Sequence, residues 1–297
     1  MIEPQNGATY ADQHRFAVHA ERLGFDGFVR SDHFLAMTGD GGAGPTDAWA
    51  TLAALAVQTS RIRLGVLVSS ATFRLPGPLA ITAAQVDQMS GGRLDVGIGT
   101  GWFEAEHRAY GIPFPPLRER FDRLEEQLAI VTGLWRTPPG ERFDFRGRYY
   151  TLVDCPALPK PAQPGGPPLV VGGMGPRRTP ALAARYAAEF NAPFASVEAT
   201  AEAFARVRDA CTRLGRTTPP RLSASQTIVC GRTPDEITRR RQAITATPHL
   251  FGTPDAVVAQ VAELQRIGTQ RVYLQFLDLT DLGHLDVVAE DVIPRLR

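Results

Sequence analysis

The chain has 297 residues, of which 43% are hydrophobic and 21% charged, the profile of a globular protein with enough apolar mass to fill a core. Lys plus Arg number 32 and Asp plus Glu 31. That balance argues against a basic nucleic-acid footprint or a polybasic membrane anchor.

In chain order, a stub of strand at Met1-Ile2-Glu3-Pro4 comes first. It carries no basic region followed by an apolar stretch, so no export signal is read and the expected location is the cytoplasm. Thr9 can cap a helix ending near Gly24, with Phe16, Ala20 and Leu23 on one face. The second strand candidate is Asp26 to Asp32, and Asp47 then precedes a helix over 48–59. The third strand, Ile62 to Ser69, sits in the longest apolar region. Arg61 and Arg63 break that region well short of the roughly 20 residues a membrane helix needs. Pro78 begins a helix that stops at Gly91-Gly92, and the fourth strand is Arg93 to Gly99.

Phe121, Leu124, Leu128, Val131 and Trp135 then recur at spacings of 3, 4, 3 and 4, the stripe of an amphipathic helix. Thr137 to Pro168 breaks the rhythm. It is proline-dense and aromatic, and reads as an insertion between the fourth helix and the fifth strand, a hairpin and lid over one end of the fold. The fifth strand is Pro168 to Gly173, followed by Thr179-Pro180 as N-cap and first helical residue. Glu189 to Phe194 and Arg221 to Val229 are further strands. Thr253-Pro254-Asp255 opens a helix closed by Gly268, and Gln270 to Leu277 is the last strand. Eight βα units suit a single (β/α)8 TIM barrel over 1–297 better than an open doubly wound sheet, though periodicity alone does not separate the two.

A barrel builds its site from the loops after its strands. Four loops stand out. Asp32 and His33 follow the second strand, where an imidazole can move a proton near neutral pH; a structural hydrogen bond is the bland alternative. Leu67, Val68 and Ser70 lie in a small, hydroxyl-rich stretch that leaves room for a flat ligand. Gly97-Ile98-Gly99-Thr100-Gly101-Trp102 removes side chains from one face, but it is no dinucleotide fingerprint, because Trp102 occupies the third glycine position. Glu104, Glu106, His107 and Tyr110 beyond it read as a solvated face. Gly172-Gly173-Met174-Gly175 with Arg177 and Arg178, ahead of a helix, reads as an anion site. Lys160 is the only lysine, which excludes a Walker-type loop. Cys155, Cys211 and Cys230 form no CxxC pair and read as buried thiols. No His/Cys/Asp cluster has metal-ligand spacing, and there is no G-x-S-x-G elbow.

Taken together, an ordered set of segments resembles the bacterial luciferase-like monooxygenase superfamily, and within it the branch dependent on the deazaflavin coenzyme F420. The segments are Ala20-Glu21-Arg22-Leu23-Gly24-Phe25-Asp26-Gly27, Ser31-Asp32-His33, Thr59-Ser60-Arg61-Ile62-Arg63-Leu64-Gly65, Met89-Ser90-Gly91-Gly92-Arg93-Leu94, Gly97 to Trp102 and Val171 to Gly175. The resemblance implies a barrel, often a homodimer, with a flavin-like ring at the C-terminal face of the strands. It places the ring near His33 and Asp32, backs it with a strained bulge around Leu67 and Val68 that often holds a non-prolyl cis peptide, lays Thr100 and Gly101 along the cofactor, and seats the phosphate on Gly172 to Gly175. His33 would then polarise the ring or relay a proton for hydride transfer to a small organic substrate. Two features depart from the family. Trp102 stands where some deazaflavin dehydrogenases carry a catalytic acid, which argues against a sugar phosphate. The first strand is also short, which leaves the barrel seam thin. The alternatives are an FMN-dependent monooxygenase needing a flavin reductase partner, a non-catalytic flavin-binding relative, and a sugar-phosphate enzyme using the same loop.

Overall fold

The computed structural model describes residues 1–296. Its centre is a curled parallel sheet. The strands in chain order are β1 (Gly27–Arg30), β2 (Arg63–Ser70), β3 (Leu94–Gly99), a separate antiparallel pair β4 (Phe143–Arg146) and β5 (Thr151–Cys155), then β6 (Leu169–Gly172), β7 (Glu189–Pro193), β8 (Arg221–Cys230), β9 (Leu250–Gly252) and β10 (Arg271–Gln275). The sheet order is β1-β2-β3-β6-β7-β8-β10, with β9 pairing the far end of β8. Every junction along this path is parallel. Parallel neighbours need helical crossovers, and these cover the outer face.

The helices are α1 (Tyr10–Arg22), α2 (Ala48–Gln58), α3 (Pro76–Met89), α4 (Glu104–Ala109), α5 (Leu117–Arg136), α6 (Arg178–Tyr186), α7 (Val197–Leu214), α8 (Pro234–Gln242), α9 (Pro254–Arg266) and α10 (Leu282–Val287). Local chemistry sets their starts. Thr9 and Asp12 form a capping box on α1, and Asp47 and Thr253 accept the first free amides of α2 and α9, which satisfies donors the helix itself leaves unpaired. Two starts differ from expectation. The α3 helix begins at Pro76, because a proline is best placed in the first turn. Thr179 is not a cap but lies inside the first turn of α6, with Arg177 at the N-cap.

The main core lies between the sheet and its helices; Leu52, Leu64, Leu94, Leu128 and Phe204 are fully buried in it. A second, small cluster of Val29, Leu67, Val170 and Tyr273 sits on the opposite, inward face, as strand alternation requires. The strand beginnings on that face carry charge. Arg63 meets Asp95 at 2.6 Å, Arg271 meets Glu189 at 2.9 Å, and the Tyr273 hydroxyl donates to Glu189 at 2.7 Å. Three of the segments that carry the family resemblance, those around Glu21, Thr59 to Ile62 and Arg93, meet at this same end. Glu21 accepts from the amides of Ser60, Arg61 and Ile62. Arg93 donates to the carbonyls of Ala56, Thr59 and Ile62, a cation on the C-terminus of α2.

Between β1 and β10 runs a two-residue stub. Ile2 donates to Val29 O (3.0 Å) and accepts from Ser31 N (3.1 Å). Met1 donates to Leu274 O (2.8 Å) and accepts from Phe276 N (3.0 Å). The insertion 137–168 does contain a hairpin, β4–β5. It stands against α5: the Phe143 ring packs over Gly133, and the Glu126 carboxylate accepts from the amides of Arg148, Tyr149 and Tyr150. Lys160 Nζ donates to Leu134 O at 2.7 Å near the end of α5. Cys211 and Cys230 are buried, Cys155 is half-buried, and all three are free. Among the described residues no helix is long and apolar enough to cross a membrane.

Candidate active site

The loops after β1, β2 and β3 converge at the C-terminal end of the sheet, and buried polar side chains lock them together. Arg30, at the end of β1, is fully buried. It donates to Ser31 O (2.9 Å), Gln13 Oε1 (3.1 Å), Thr46 Oγ1 (2.8 Å), Thr51 Oγ1 (3.0 Å) and Thr46 O (2.9 Å). Burial pushes its pKa down to about 10, and the surrounding acceptors keep so deep a guanidinium tolerable. The result is a rigid base for Asp32 and His33.

Asp32 is buried. Ser69 Oγ donates to it at 2.6 Å and Arg74 pairs with it, while the same guanidinium reaches Asp47 at 2.6 Å. Trp49 Nε1 donates to Ser69 Oγ at 3.1 Å. Asp32 therefore ties the β1 loop to the β2 loop. The carboxylate that orients the His33 ring is a different one, Glu106. Its Oε1 lies 2.9 Å from His33 Nδ1, and its Oε2 accepts from Phe34 N at 2.9 Å. A carboxylate in that position assigns the proton to Nδ1. Nε2 has no hydrogen-bond partner among the described residues, and the ring keeps 17% of its side-chain surface exposed. Burial pushes the His33 pKa down, but the hydrogen bond and charge of Glu106 outweigh it, and the net shift is upward.

The expected solvated face on α4 is thus overturned for two residues. Glu106 and His107 are buried. His107 Nε2 meets Thr72 Oγ1 at 2.6 Å and its Nδ1 meets Phe103 O at 2.8 Å. One short helix therefore holds the β1 loop through Glu106 and the β2 loop through His107. Trp102 is 65% exposed; it stacks on Phe103 (5.3 Å) and meets the His33 ring edge-on (5.8 Å). Phe34 packs on Phe73 (4.8 Å) and Tyr110 (5.9 Å).

At the end of β2 the Leu67–Val68 peptide is cis, as the resemblance implied, and the register on β3 shifts between Val66 and Ser69. Val68 then lies across β3. A Cβ on Gly97 would strike Val66 O and Val68, and one on Gly99 would sit 2.8 Å from Val68 Cγ2. These glycines make room for a neighbouring side chain, the tight packing that alternate glycines serve beside ligand approach. Gly101 has φ +76° and its missing Cβ is replaced by Ser70 Oγ; Ser70 is itself 2.5 Å from Thr72 Oγ1. Thr100 precedes it at the rim, half-buried.

After β6, Gly172 is half-buried, and Gly173 has φ +131° and donates to Asn191 O at 3.1 Å. Gly175 lies against Thr179, whose Oγ1 would be 2.6 Å from an added Cβ. Met174 packs at the edge of the main core. Arg177 is exposed at the N-cap of α6. Arg178 is not aimed at this loop. It pairs with Asp122 (2.5 Å) and Glu125 (3.3 Å) on α5, and lies over the Phe121 ring.

Glu3 is a further polar group at the mouth that sequence reasoning did not single out. Its carboxylate accepts from Gln5 Nε2 and Gln275 Nε2, both at 2.8 Å. Gln5 in turn accepts from Ser31 Oγ at 2.8 Å and Gln275 from Thr227 Oγ1 at 2.6 Å. The available signal was a charged residue at the C-terminal end of the first strand, where barrels place their chemistry.

Residues 2–250 match the model of the luciferase-like monooxygenase family. The chain belongs to that family. It is similar to an F420-dependent glucose-6-phosphate dehydrogenase of Microbacterium testaceum, with 38% identity over 174 residues, 58% of this chain and 49% of that protein. The chain thus spans about half the length of the curated relatives it matches. Among solved structures it resembles an F420-dependent secondary alcohol dehydrogenase in complex with an F420-acetone adduct (TM-score 0.85, 20% identity, 100% of this chain and 99% of that one). It also resembles the oxygenating constituent of 3,6-diketocamphane monooxygenase from Pseudomonas putida in complex with FMN (TM-score 0.77, 21% identity, 96% and 92%). At these identities the two structures share the luciferase-like fold, and that fold holds either cofactor.

Proposed function

We propose that this luciferase-like chain is a coenzyme F420-dependent oxidoreductase acting on a small organic substrate, with residues 1–297 as one (β/α)8 TIM-barrel domain and 137–168 as an insertion in it. Closure of the barrel is supported by the stub Met1–Ile2, which hydrogen-bonds to β1 on one side and β10 on the other. The functional reading is carried by one observation. His33 stands at the mouth with Nδ1 held by buried Glu106 and Nε2 without a hydrogen-bond partner among the described residues.

The residues fit a flat ring with an anionic tail. Gly172 and Gly173 present main chain without side chains, and Gly173 adopts a φ that suits glycine. The first amides of α6 have no helical partners, and Arg177 stands beside them. Gly172, Gly173, Met174, Gly175 and Arg177 would hold the tail, with Arg178 bracing the loop from α5. Leu67 and Val68 would back the ring, with Ser70, Thr100, Gly101 and Trp102 along its edge. When bound, the deazaflavin would supply hydride from the carbon that stands where a flavin has N5. The chain's own part is to hold or take a proton at His33 Nε2, to fix that ring through Glu106, and to exclude water with Trp102, Phe34 and Phe73. Asp32 contributes by positioning, through Arg74 and Ser69.

F420 is favoured over FMN by the 38%-identical relatives named for it. Those relatives are named for glucose 6-phosphate. For this chain we favour a smaller, uncharged substrate, because the rim is aromatic and Trp102 replaces the acid that some dehydrogenases of the family carry. The family resemblance supports a cytoplasmic homodimer. Titration with F420 and with FMN is the test. Retention of F420 followed by turnover in a substrate screen supports the proposal. Tight FMN binding without F420 binding would replace it with an FMN-dependent monooxygenase served by a flavin reductase. Tight binding with no acceptor ever reduced would favour a non-catalytic flavin-binding protein.

A further inference from the structure

The inner face of the sheet has two sides of different character. Val29, Leu67 and Val170 make one side apolar. On β8 and β10, Ser225, Thr227 and Gln275 alternate with Ala224, Ile228 and Phe276 of the outer core, so they point inward, and all three are buried. With the Met1–Ile2 stub counted as a strand, three strands separate β8 from β2 in either direction: β1, the stub and β10 one way, β3, β6 and β7 the other. The polar side therefore stands across from the Leu67–Val68 bulge. Register fixes the depth. Ile2 bridges to Arg30, and Arg30 pairs with Val66, so Glu3 falls one residue further on, level with Leu67.

The hydrogen bonds of the polar side all run toward Glu3. Thr227 Oγ1 donates to Gln275 Oε1 (2.6 Å), and Gln275 Nε2 donates to Glu3 Oε1 (2.8 Å). From the other flank Ser31 Oγ donates to Gln5 Oε1 (2.8 Å), and Gln5 Nε2 donates to Glu3 Oε2 (2.8 Å). Each hydroxyl sets the orientation of its amide, and both amides turn N–H groups to the carboxylate. That is one donor per oxygen, whereas a carboxylate oxygen accepts about two. Among the described residues Glu3 forms no ion pair with arginine, lysine or histidine, and it is half-buried. Burial lowers the His33 pKa, and the charge of Glu3 is among those, with Glu106 and Asp32, that raise it. Glu3 is thus within electrostatic reach of the ring whose Nε2 is free.

We propose that Glu3 anchors a substrate subsite, and that the substrate is a neutral molecule with two functional groups: a reacting centre served by His33 and, away from it, an O–H or N–H donor read by Glu3. This rests on the seat given above to the cofactor ring, against the bulge and facing the polar side. The apolar body of the substrate would lie over the ring, and its donor on the unfilled acceptor sites of Glu3. Fixed, unfilled acceptors select strongly for a donor, because an analogue without one leaves the carboxylate desolvated and unpaired. An anionic group at the same place meets like charge.

The test uses two matched pairs of probes, 4-hydroxycyclohexanone with 4-methoxycyclohexanone and 4-(hydroxymethyl)benzaldehyde with 4-(methoxymethyl)benzaldehyde, which differ in the donor alone. F420 is titrated first into the native chain and into Glu3→Met, and calorimetry then measures the dissociation constant of each probe on the loaded chains. The native chain should favour each hydroxyl compound by about 10–100-fold, the worth of a hydrogen bond to a charged group. Glu3→Met should abolish that preference while F420 affinity is kept. Gln275→Met removes one supporting amide and leaves the charge, so it should weaken the preference several-fold without abolishing it. With no cofactor present, the His33 imidazole should titrate at lower pH in Glu3→Met than in the native chain, as followed by NMR. Equal affinities within the pairs, a preference that survives in Glu3→Met, an unmoved His33 titration, or no binding by either hydroxyl probe would overturn the subsite. A Glu3-dependent preference in a chain that does not retain F420 would sink the cofactor reading and leave the subsite standing.

Discussion

Glu106 and His33 are 73 residues apart in the chain, yet Oε1 and Nδ1 are 2.9 Å apart at the mouth of the sheet. The carboxylate is buried, so the pair is screened by protein and little by water. It fixes the tautomer of the ring and leaves Nε2 as the atom able to exchange a proton. It also holds Phe34 N, so the main chain of the loop and the ring move as one unit.

Replacing His33 by Ala should lower turnover by about 10²–10⁴, the usual worth of a general acid or base, while F420 affinity falls far less. Steady-state kinetics beside a cofactor titration decide the point. Equal losses in both would make His33 a binding residue.

Glu106→Gln keeps the shape of the pair and removes its charge. In the native chain the His33 pKa is raised above its ordinary 6.5. The linked stability is therefore fully present below 6.5 and is lost as pH rises through the raised folded-state value. The Tm gap between the native chain and Glu106→Gln should be widest below pH 6.5 and narrow above it. A gap independent of pH would remove the charge of Glu106 from the account. The acid-side limb of the turnover profile should also move to lower pH in the variant.

Gly99→Ala should destabilise the chain by about 1–3 kcal/mol, the ordinary range for overpacking, because the new methyl meets Val68 Cγ2. In the background of Val68→Ala the same change should cost little. Gly97→Ala should stay costly in both backgrounds, since its added methyl also strikes the backbone carbonyl of Val66. Denaturant unfolding of the double-mutant cycles measures the coupling. Additivity for Gly99 and Val68 would show that Val68 does not fill that space.

Arg177 and Arg178 are adjacent but differently employed. Arg178 is engaged by Asp122 and Glu125, whereas Arg177 is exposed. Arg177→Ala should weaken F420 binding several-fold and reduce its salt dependence, with Tm unchanged. Arg178→Ala should lower Tm with a smaller effect on affinity. Gly173→Val should weaken binding as well, since it fills a position at φ +131°; unchanged affinity there would move the phosphate to another loop.

Much of this protein was written locally. The spacing of Phe121, Leu124, Leu128, Val131 and Trp135 placed α5, and Thr9, Asp47 and Thr253 announced the helix starts that the structure contains. Ser31-Asp32-His33 fell at a strand end because the run before it reads as a strand. These signals depend on neighbours two to four residues apart, which a single chain displays directly. Other features had no local signature. Glu106 looked like one more charge on a short polar helix, and its burial depends on a partner loop 73 residues away. Gly97 and Gly99 suited either ligand approach or tight packing, and only the β2 bulge, which carries Val68 across them, shows the packing. Arg178 looked like an anion ligand until α5 supplied two carboxylates. Periodicity determined which segments became strands and helices and which strand ends carried polar groups. Only the tertiary structure decided which of those groups met, because long-range packing sets the distances on which their chemistry depends.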